Sequence, residues 1–494
     1  MLQHIRPVAV ATSLLVLLGV GIEAQQPCAS VLTPSYAAPV VAAGFSTQLV
    51  TQKLFKPRGI IFDKEGALLV VQAKSGITRL TFSDGGGTCL GVTKSTTLVQ
   101  NSALNHGIEI SEDGKTLYAS SSNEVFSWAY DSANVSVSNQ RTLIRNMTNS
   151  DHVTRTLLLS RKVPGMMLVS RGSGENIDML ATNEESGISQ IRAFNLTALQ
   201  DGQVYDYPSQ GVRLGWGLRN SVGVAEHPVT GGIYSVENSA DQIRRSEVDI
   251  HQDNPGEELN FHGYLNGTSG KGDNGNYGYP DCFALWSTKD FPDLGRTIQV
   301  GSQFSLNTRG SNVDDAGCAN DYIAPRLTFQ AHTAPLDIKF NANGSLAYVT
   351  FHGSWNRDQP AGYKLSVISF KDGEPTEPSN STTAVIDILT NPNLSACPNG
   401  CFRPVGLALD SQGRIFMSSD STGEIYVLQQ QAGATLPASG TGTGGGGSAT
   451  SSAAAAGLSV PWRSGDGYTL LVAGLLGVVS FVLGGGSLFA VSRA

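Results

Sequence analysis

No Cys-x-x-Cys pair occurs in this chain, although it contains six cysteines. That pattern argues against zinc and leaves the thiols for disulfides. The Asp-x-Asp-x-Asp-Gly spacing of an EF-hand is missing too. No Gly-x-Gly-x-x-Gly stands at a strand–helix turn, which disfavours a nicotinamide enzyme. No haem or flavin motif is visible. Charge is sparse: Asp, Glu, Lys and Arg make up 15% of the residues, and the formal net charge is −8. Such a global field does not suit a nucleic-acid binder, and the basic residues of interest are scattered rather than gathered in a tract.

What the chain does have is one phrase that returns six times between Pro57 and Leu428. Each copy is a β-rich run, a turn built on Asp or Asn with Gly, and a second β-rich run. The copies open near Pro57, Asn105, His152, Leu218, Ala334 and Arg403. A single hairpin cannot bury its own apolar face, so the copies must stack on one another. The expectation is an all-β, six-bladed β-propeller over residues 25–430. The opening positions of the phrases then face the central channel: Arg58, His106, His152, Arg219 with Asn220, Pro335 and Arg403. The segment Phe45 to Val50 is placed to lend an outer strand to the last blade. The wide gap between the fourth and fifth copies, roughly Ile250 to Gln330, reads as a functional excursion covering the channel mouth.

The termini point to a secreted, anchored protein. Residues 1–24, with an apolar run from Val8 to Ile22, read as a signal peptide. A Gly/Ser/Thr/Ala stalk spans 431–467, and an apolar tail spans 468–491. Small residues, a polar spacer and a terminal apolar run fit a glycolipid-anchor signal; a single membrane span is the alternative. Either way the protein is expected at the cell surface. Asn-x-Ser/Thr sequons at Asn134, Asn146, Asn195, Asn266, Asn343, Asn380 and Asn393 favour a glycosylated surface. The cysteines allow many connectivities; the preferred pairs are Cys397–Cys401, Cys282–Cys318 and Cys28–Cys89.

Several short runs carry chemistry. Asp151-His152 opens a blade, and a carboxylate that orients an imidazole is a common general-base arrangement; an ordinary surface dipeptide is the alternative. Arg219-Asn220 offers a guanidinium fork and an amide to a carboxylate or quinone oxygen, or else a salt bridge between blades. His352, Trp355 and Arg357 fall within the run His-Gly-Ser-Trp-Asn-Arg, which joins a ring base, a stacking surface and a guanidinium. With Arg58 and Arg403, four arginines would converge on one channel and repel unless an anion lay between them. The run from Asp249 to Asn260 is rich in carboxylates and amides kinked by Pro255 and Gly256, which suits calcium or else a solvated loop.

Together these runs resemble the soluble quinoprotein glucose/sorbosone dehydrogenases, most of all the fungal pyrroloquinoline-quinone (PQQ)-dependent pyranose dehydrogenases. The resemblance covers about Pro39 to Leu428 and rests on Pro57-Arg58-Gly59, Asp151-His152, Gly217 to Asn220, Asn254 to Asn260, Asn276 to Pro280, Ala334 to Leu336, His352 to Arg357 and Arg403 to Val405. It implies PQQ, a tricarboxylate ortho-quinone, in the channel mouth with a calcium ion beside it. His152 falls on the family's base, assisted by Asp151. Arg58, Arg219, Asn220, His352, Trp355, Arg357 and Arg403 fall on or near cofactor contacts. Asp253, Asn254 and Glu258 are the expected metal region, with the calcium-contacting carbonyls around Asp253 and Asn254. Bacterial glucose-oxidising members carry lysine near Asn356, so glucose itself is disfavoured. The implied partners are a sugar substrate and an external electron acceptor, a cytochrome or a quinone. Two rival readings stay open: a calcium-dependent lactonase-like or phosphotriesterase propeller, and a non-catalytic adhesion propeller.

Overall fold

A computed structural model of the chain describes Cys28 and residues 31–267, 274–295, 298–307 and 313–436. The expected signal peptide, the apolar tail and nearly all of the stalk lie outside these residues. Among the described residues, no helix is long and apolar enough to cross a membrane.

The phrases become the inner hairpins of six antiparallel blades. Blade 1 is the simplest, with strands Pro57–Phe62, Leu68–Gln72, Gly76–Asp84 and Leu90–Gln100 in sequence order. Its first turn shows why the Asp/Gly signal works. Asp63 accepts the backbone N–H groups of Glu65 and Ala67 through Oδ1, while Gly66 takes the left-handed conformation. Asp410 repeats the device in blade 6, accepting from Gln412 and Arg414. The inner strands of the other blades are Leu104–Ile110, Leu157–Leu159, Ser221–Glu226, Pro335–Phe340 and Pro404–Leu409. Neighbouring inner strands touch all the way around, and the ring closes where Pro57–Phe62 meets Pro404–Leu409. Closure is also made at the rim: Phe45–Thr51 pairs antiparallel with Glu424–Gln430, completing blade 6 with a strand from the start of the fold. A shorter strand, Val40–Val41, does the same for blade 5.

Each junction between blades is an apolar seam. Val125, Leu157, Met167 and Phe194 pack together between blades 2 and 3, and Val236, Leu259, Ile338 and Val349 between blades 4 and 5. Burying one such side chain contributes about 1.5–3 kcal/mol. Near the axis the strands approach too closely for side chains. A Cβ at Gly107 would lie 2.2 Å from the Arg155 carbonyl, and one at Gly406 would lie 2.4 Å from the Arg58 carbonyl. Hydroxyls bridge the same seams: Ser120 donates to the Arg155 carbonyl, Thr350 to that of Val405 and Ser418 to that of Arg58.

The excursion differs from its sequence reading. It does not join blades 4 and 5 but interrupts blade 4 twice, as residues 238–256 and 265–326 around the strand Glu257–Tyr264. These insertions have their own core, in which Ile243, Ile250, Tyr279, Phe283 and Phe304 are buried. Disulfide Cys282–Cys318 fastens it. The other bridges, Cys28–Cys89 and Cys397–Cys401, also match the preferred pairing.

Candidate active site

In a hairpin, the first residues of one strand lie beside the last residues of the next. The mouth of the channel is therefore built from the starts of the phrases and from the residues just past their ends. His152, Arg219, Asn220 and Arg403 come from the starts; Asp241, His352 and Trp355 follow second strands. All seven line one pocket of about 340 Å³, a size that suits a small planar ligand.

His152 is fixed by blade 3. Its Nδ1 lies 2.8 Å from Ser173 Oγ and 3.1 Å from the Ser173 carbonyl. The Ser173 hydroxyl donates to the Glu175 carbonyl, so toward the ring it can only accept. Both neighbours of Nδ1 are acceptors, which puts the ring proton there and leaves a lone pair on Nε2. Burial, followed by the charge of Arg219, lowers the His152 pKa to about 4. The ring is thus neutral at ordinary pH. This differs from the unperturbed imidazole expected from sequence, because exposure cannot be read from a dipeptide. Asp151 does not orient the ring: its carboxylate is 61% exposed and stands 4.0 Å from Nε2, beyond hydrogen-bond reach. Beneath the loop, Arg155 is fully buried and donates to the carbonyls of His152 and Thr154 at 2.7 and 2.6 Å. No carboxylate pairs with it, and burial lowers its pKa to about 9.

The arginines do not share one role. Arg219 meets Asp241 at 3.1 Å, and Arg58 meets Asp420 at 2.6 Å. Each aspartate also holds a histidine: Asp241 lies 3.4 Å from His332 Nδ1, and Asp420 lies 2.9 Å from His352 Nε2. Burial raises the Asp241 pKa, but His332, Arg219 and Asn356 outweigh it and keep the carboxyl ionised. Asp420 follows the same logic with His352 and Arg58. The four arginines do not converge as expected: only Arg219 and Arg403 line the pocket, and Arg58 and Arg219 are each paired with a carboxylate of the protein itself. Arg403 is different. It donates to the carbonyls of His352 and Gly353 and lies over the Tyr363 ring; among the described residues no carboxylate forms an ion pair with it, and Asp420 acts on it only at longer range. Arg357 spends its guanidinium on the Gln252 carbonyl, the Gln359 carbonyl and Asp253, outside the pocket lining. Trp355 is 67% exposed and offers a free ring face at the rim.

The metal region is placed differently from its sequence reading. Asp253 is half exposed and paired with Arg357 at 3.2 Å. Asn254 clamps a turn, accepting from Trp286 and Ser287 and donating to the Ser287 carbonyl. Glu258 sits in a strand, not a loop, and shares Asn260 Nδ2 with Glu237. None of the three lines the pocket; the carboxylates that do are Asp241 and Glu257. Glu257 accepts the N–H groups of Ser239 and Ala334, and burial lifts its pKa to about 7. Among the described residues, no group of three or more His, Cys, Asp or Glu forms a ready-made metal cage.

Asp241, Asp420, His332 and Ser173 were not found by sequence reasoning, and Glu257 was noted only as one carboxylate of the Asp249–Asn260 run. A signal existed for some of them. Asp420 stands just past the end of its phrase, as His352 does, and a rule covering both ends of each hairpin would have caught it. His332 precedes a phrase by two residues and lies in the left-handed region, with φ 61°.

A six-bladed ring with a neutral, lone-pair-bearing histidine, an arginine outside any ion pair among the described residues and an exposed tryptophan at one mouth is a propeller site that fits a planar anionic guest. The chain belongs to the TrAA12-like family, whose model matches residues 39–431. A Hypocrea jecorina protein named pyrroloquinoline quinone-dependent sugar dehydrogenase is 51% identical over 434 residues, spanning 87% of this chain and 98% of that protein. The calcium structure of Trichoderma reesei Carbohydrate-Active Enzymes family AA12 superposes with a TM-score of 0.79 at 53% identity, covering 82% of this chain and all of that one. The holo form of the pyranose dehydrogenase PQQ domain from Coprinopsis cinerea gives 0.75 at 38% identity, covering 81% and 99%.

Proposed function

We propose that this protein is a PQQ-dependent dehydrogenase that oxidises a CH–OH group of a sugar, with calcium beside the cofactor. The observation that carries this reading is the pairing of His152 Nε2, free to take a proton, with Arg403, which makes no ion pair among the described residues, in one pocket of a TrAA12-like propeller.

The residues fit such a guest. Arg403, outside any ion pair among the described residues, offers a guanidinium to a carboxylate, with Arg219 and Asn220 in the same lining. Trp355 offers a ring face. Asp241 is the ionised pocket carboxylate and the best side-chain oxygen for a hard cation, with Glu257 behind it. When bound, PQQ with calcium supplies the electron-deficient carbonyl that accepts hydride. His152 Nε2 removes the proton from the sugar hydroxyl, and Ser173 receives the hydrogen bond of the resulting imidazolium through Nδ1. The electrons leave to an external acceptor. Secretion and attachment at the cell surface complete the proposal, supported by the residue patterns at the two ends of the sequence.

The test is reconstitution. Purified protein is given PQQ, calcium or both, and dye reduction is followed with a panel of pyranoses. Turnover that needs both additions supports the proposal. Lactone or ester hydrolysis with calcium alone would replace it with the hydrolase reading, and ligand binding without either reaction would favour adhesion.

A further inference from the structure

All seven sequon asparagines are exposed, but they are not spread evenly. Direction along the strands sorts them. First strands run away from the mouth, so turns between strands one and two, and between strands three and four, lie on the opposite face. That face is marked by a second opening of about 710 Å³, lined by the far ends of the inner strands, including Phe62, Ile110, Phe340 and Leu409. Asn343 lies in the turn after Phe340, and Asn134 in the turn between the third and fourth strands of blade 2. Asn195 ends a third strand and pairs in register with Met166, beside a far-face turn. Asn266 and Asn380 follow the third strands of blades 4 and 5. Only Asn146 and Asn393 come at the mouth end, and each follows the outermost long strand of its blade, far from the axis.

Local geometry favours a free amide at three of these sites, two on the far face and Asn393 at the mouth end, whereas Asn134 donates its Nδ2 to Asp131. In Asn195, Asn343 and Asn393 the side-chain oxygen accepts the hydroxyl of the Ser or Thr two residues on, at 2.6–2.7 Å, and also that residue's N–H. The oxygen is engaged and Nδ2 is left for a glycan. The described chain also leaves blade 6 on the far face, where Gln431 bonds to Gly44.

We propose that Asn134, Asn195, Asn266, Asn343 and Asn380 carry N-linked oligosaccharides, so that the far face is sugar-coated, while sugar on Asn393 sits at the outer edge of its blade and leaves the channel opening clear. The proposal rests on the secretory route suggested above, but not on the dehydrogenase reading. Bulky reactants, such as a protein acceptor, then have the channel opening uncovered to approach.

The test uses the full chain secreted from a yeast host. Peptide N-glycosidase in heavy-oxygen water converts each occupied asparagine into labelled aspartate, read by peptide mass. Label at most of the five far-face sites is expected, and removing the glycans changes turnover with cytochrome c as acceptor by less than about twofold. As a control, Leu180→Asn creates a sequon at an exposed mouth-side position; a glycan there should slow cytochrome c reduction at least fivefold while leaving a small dye unaffected. Secreted protein with unlabelled far-face asparagines overturns the proposal, as does a large gain in cytochrome c reduction on deglycosylation. Occupied sites on a protein inactive with every sugar would leave this proposal standing and remove the dehydrogenase one.

Discussion

Ser173 Oγ lies 2.8 Å from His152 Nδ1, and the same hydroxyl gives its own proton to the Glu175 carbonyl. This short chain, not the neighbouring Asp151, decides which nitrogen of the ring faces the pocket. His152→Ala should lower kcat by about 10²–10⁴-fold, the usual scale for a lost general base, while PQQ affinity changes little. Ser173→Ala should cost less and mainly in kcat; Asp151→Asn should be close to neutral. Steady-state kinetics beside a cofactor titration checks all three, and a large Asp151 effect would return the carboxylate to the mechanism.

Burial and Arg219 keep the His152 pKa near 4, so the base is ready above that pH. The acid limb of kcat/KM should therefore fall well below the ordinary imidazole value of ~6.5. The same shift bears on stability. The unfolded chain takes up a proton as pH drops below ~6.5 and the folded ring does not, so this site weakens the fold progressively from there down to about 4. A limb at 6.5 in the pH–rate profile would mean that the ring is solvated in the working enzyme.

Arg403 and Arg357 should separate cleanly. Arg403→Ala removes the guanidinium that makes no ion pair among the described residues and should weaken PQQ binding at least tenfold, seen by fluorescence or absorbance titration. Arg357→Ala unties the 252–253 loop and should lower the melting temperature more than it changes cofactor affinity.

Metal dependence should follow Asp241 rather than Asp253. A chelator should abolish dye reduction and added calcium restore it. Asp241→Asn should raise the calcium concentration needed for half activity, and Asp253→Asn should leave it within about twofold. Equal sensitivity of both variants would place the ion nearer the loop.

Glu237 and Glu258 face each other across adjacent strands of blade 4, both buried. Burial raises both pKa values, that of Glu258 to about 7, and the Glu258 charge adds to the shift of Glu237. The folded protein thus keeps protons that the unfolded chain releases above ~4.5, and this contribution is lost as pH rises through about 7. Glu258→Gln should have little effect on the melting temperature at pH 5 and raise it at pH 8. Calorimetry at both pH values decides.

The hairpin phrases, their Asp/Gly turns and the strand at Phe45 were legible because they are local: periodicity and turn chemistry fix a hairpin, and six hairpins must stack. The starts of the phrases located His152, Arg219 and Arg403 for the same reason. The side chains of Asp253, Asn254 and Glu258 fall outside the pocket lining, and Asp151 does not partner the ring, because proximity in sequence is not proximity in space. A strand carries Glu258 away from its neighbours, and Asp151 turns to solvent.

By itself, then, the sequence determined the repeat, the ring it must form and which basic and imidazole groups open each blade, since all of these follow from short-range pattern. Tertiary structure alone decided what those groups meet. Asp420 reaches Arg58 across 362 positions of chain, Asp241 draws Arg219, His332 and Asn356 together, and Arg403 is left without an ion pair among the described residues. Charge pairing and burial are properties of closure, and a ring closes through contacts that no local segment contains.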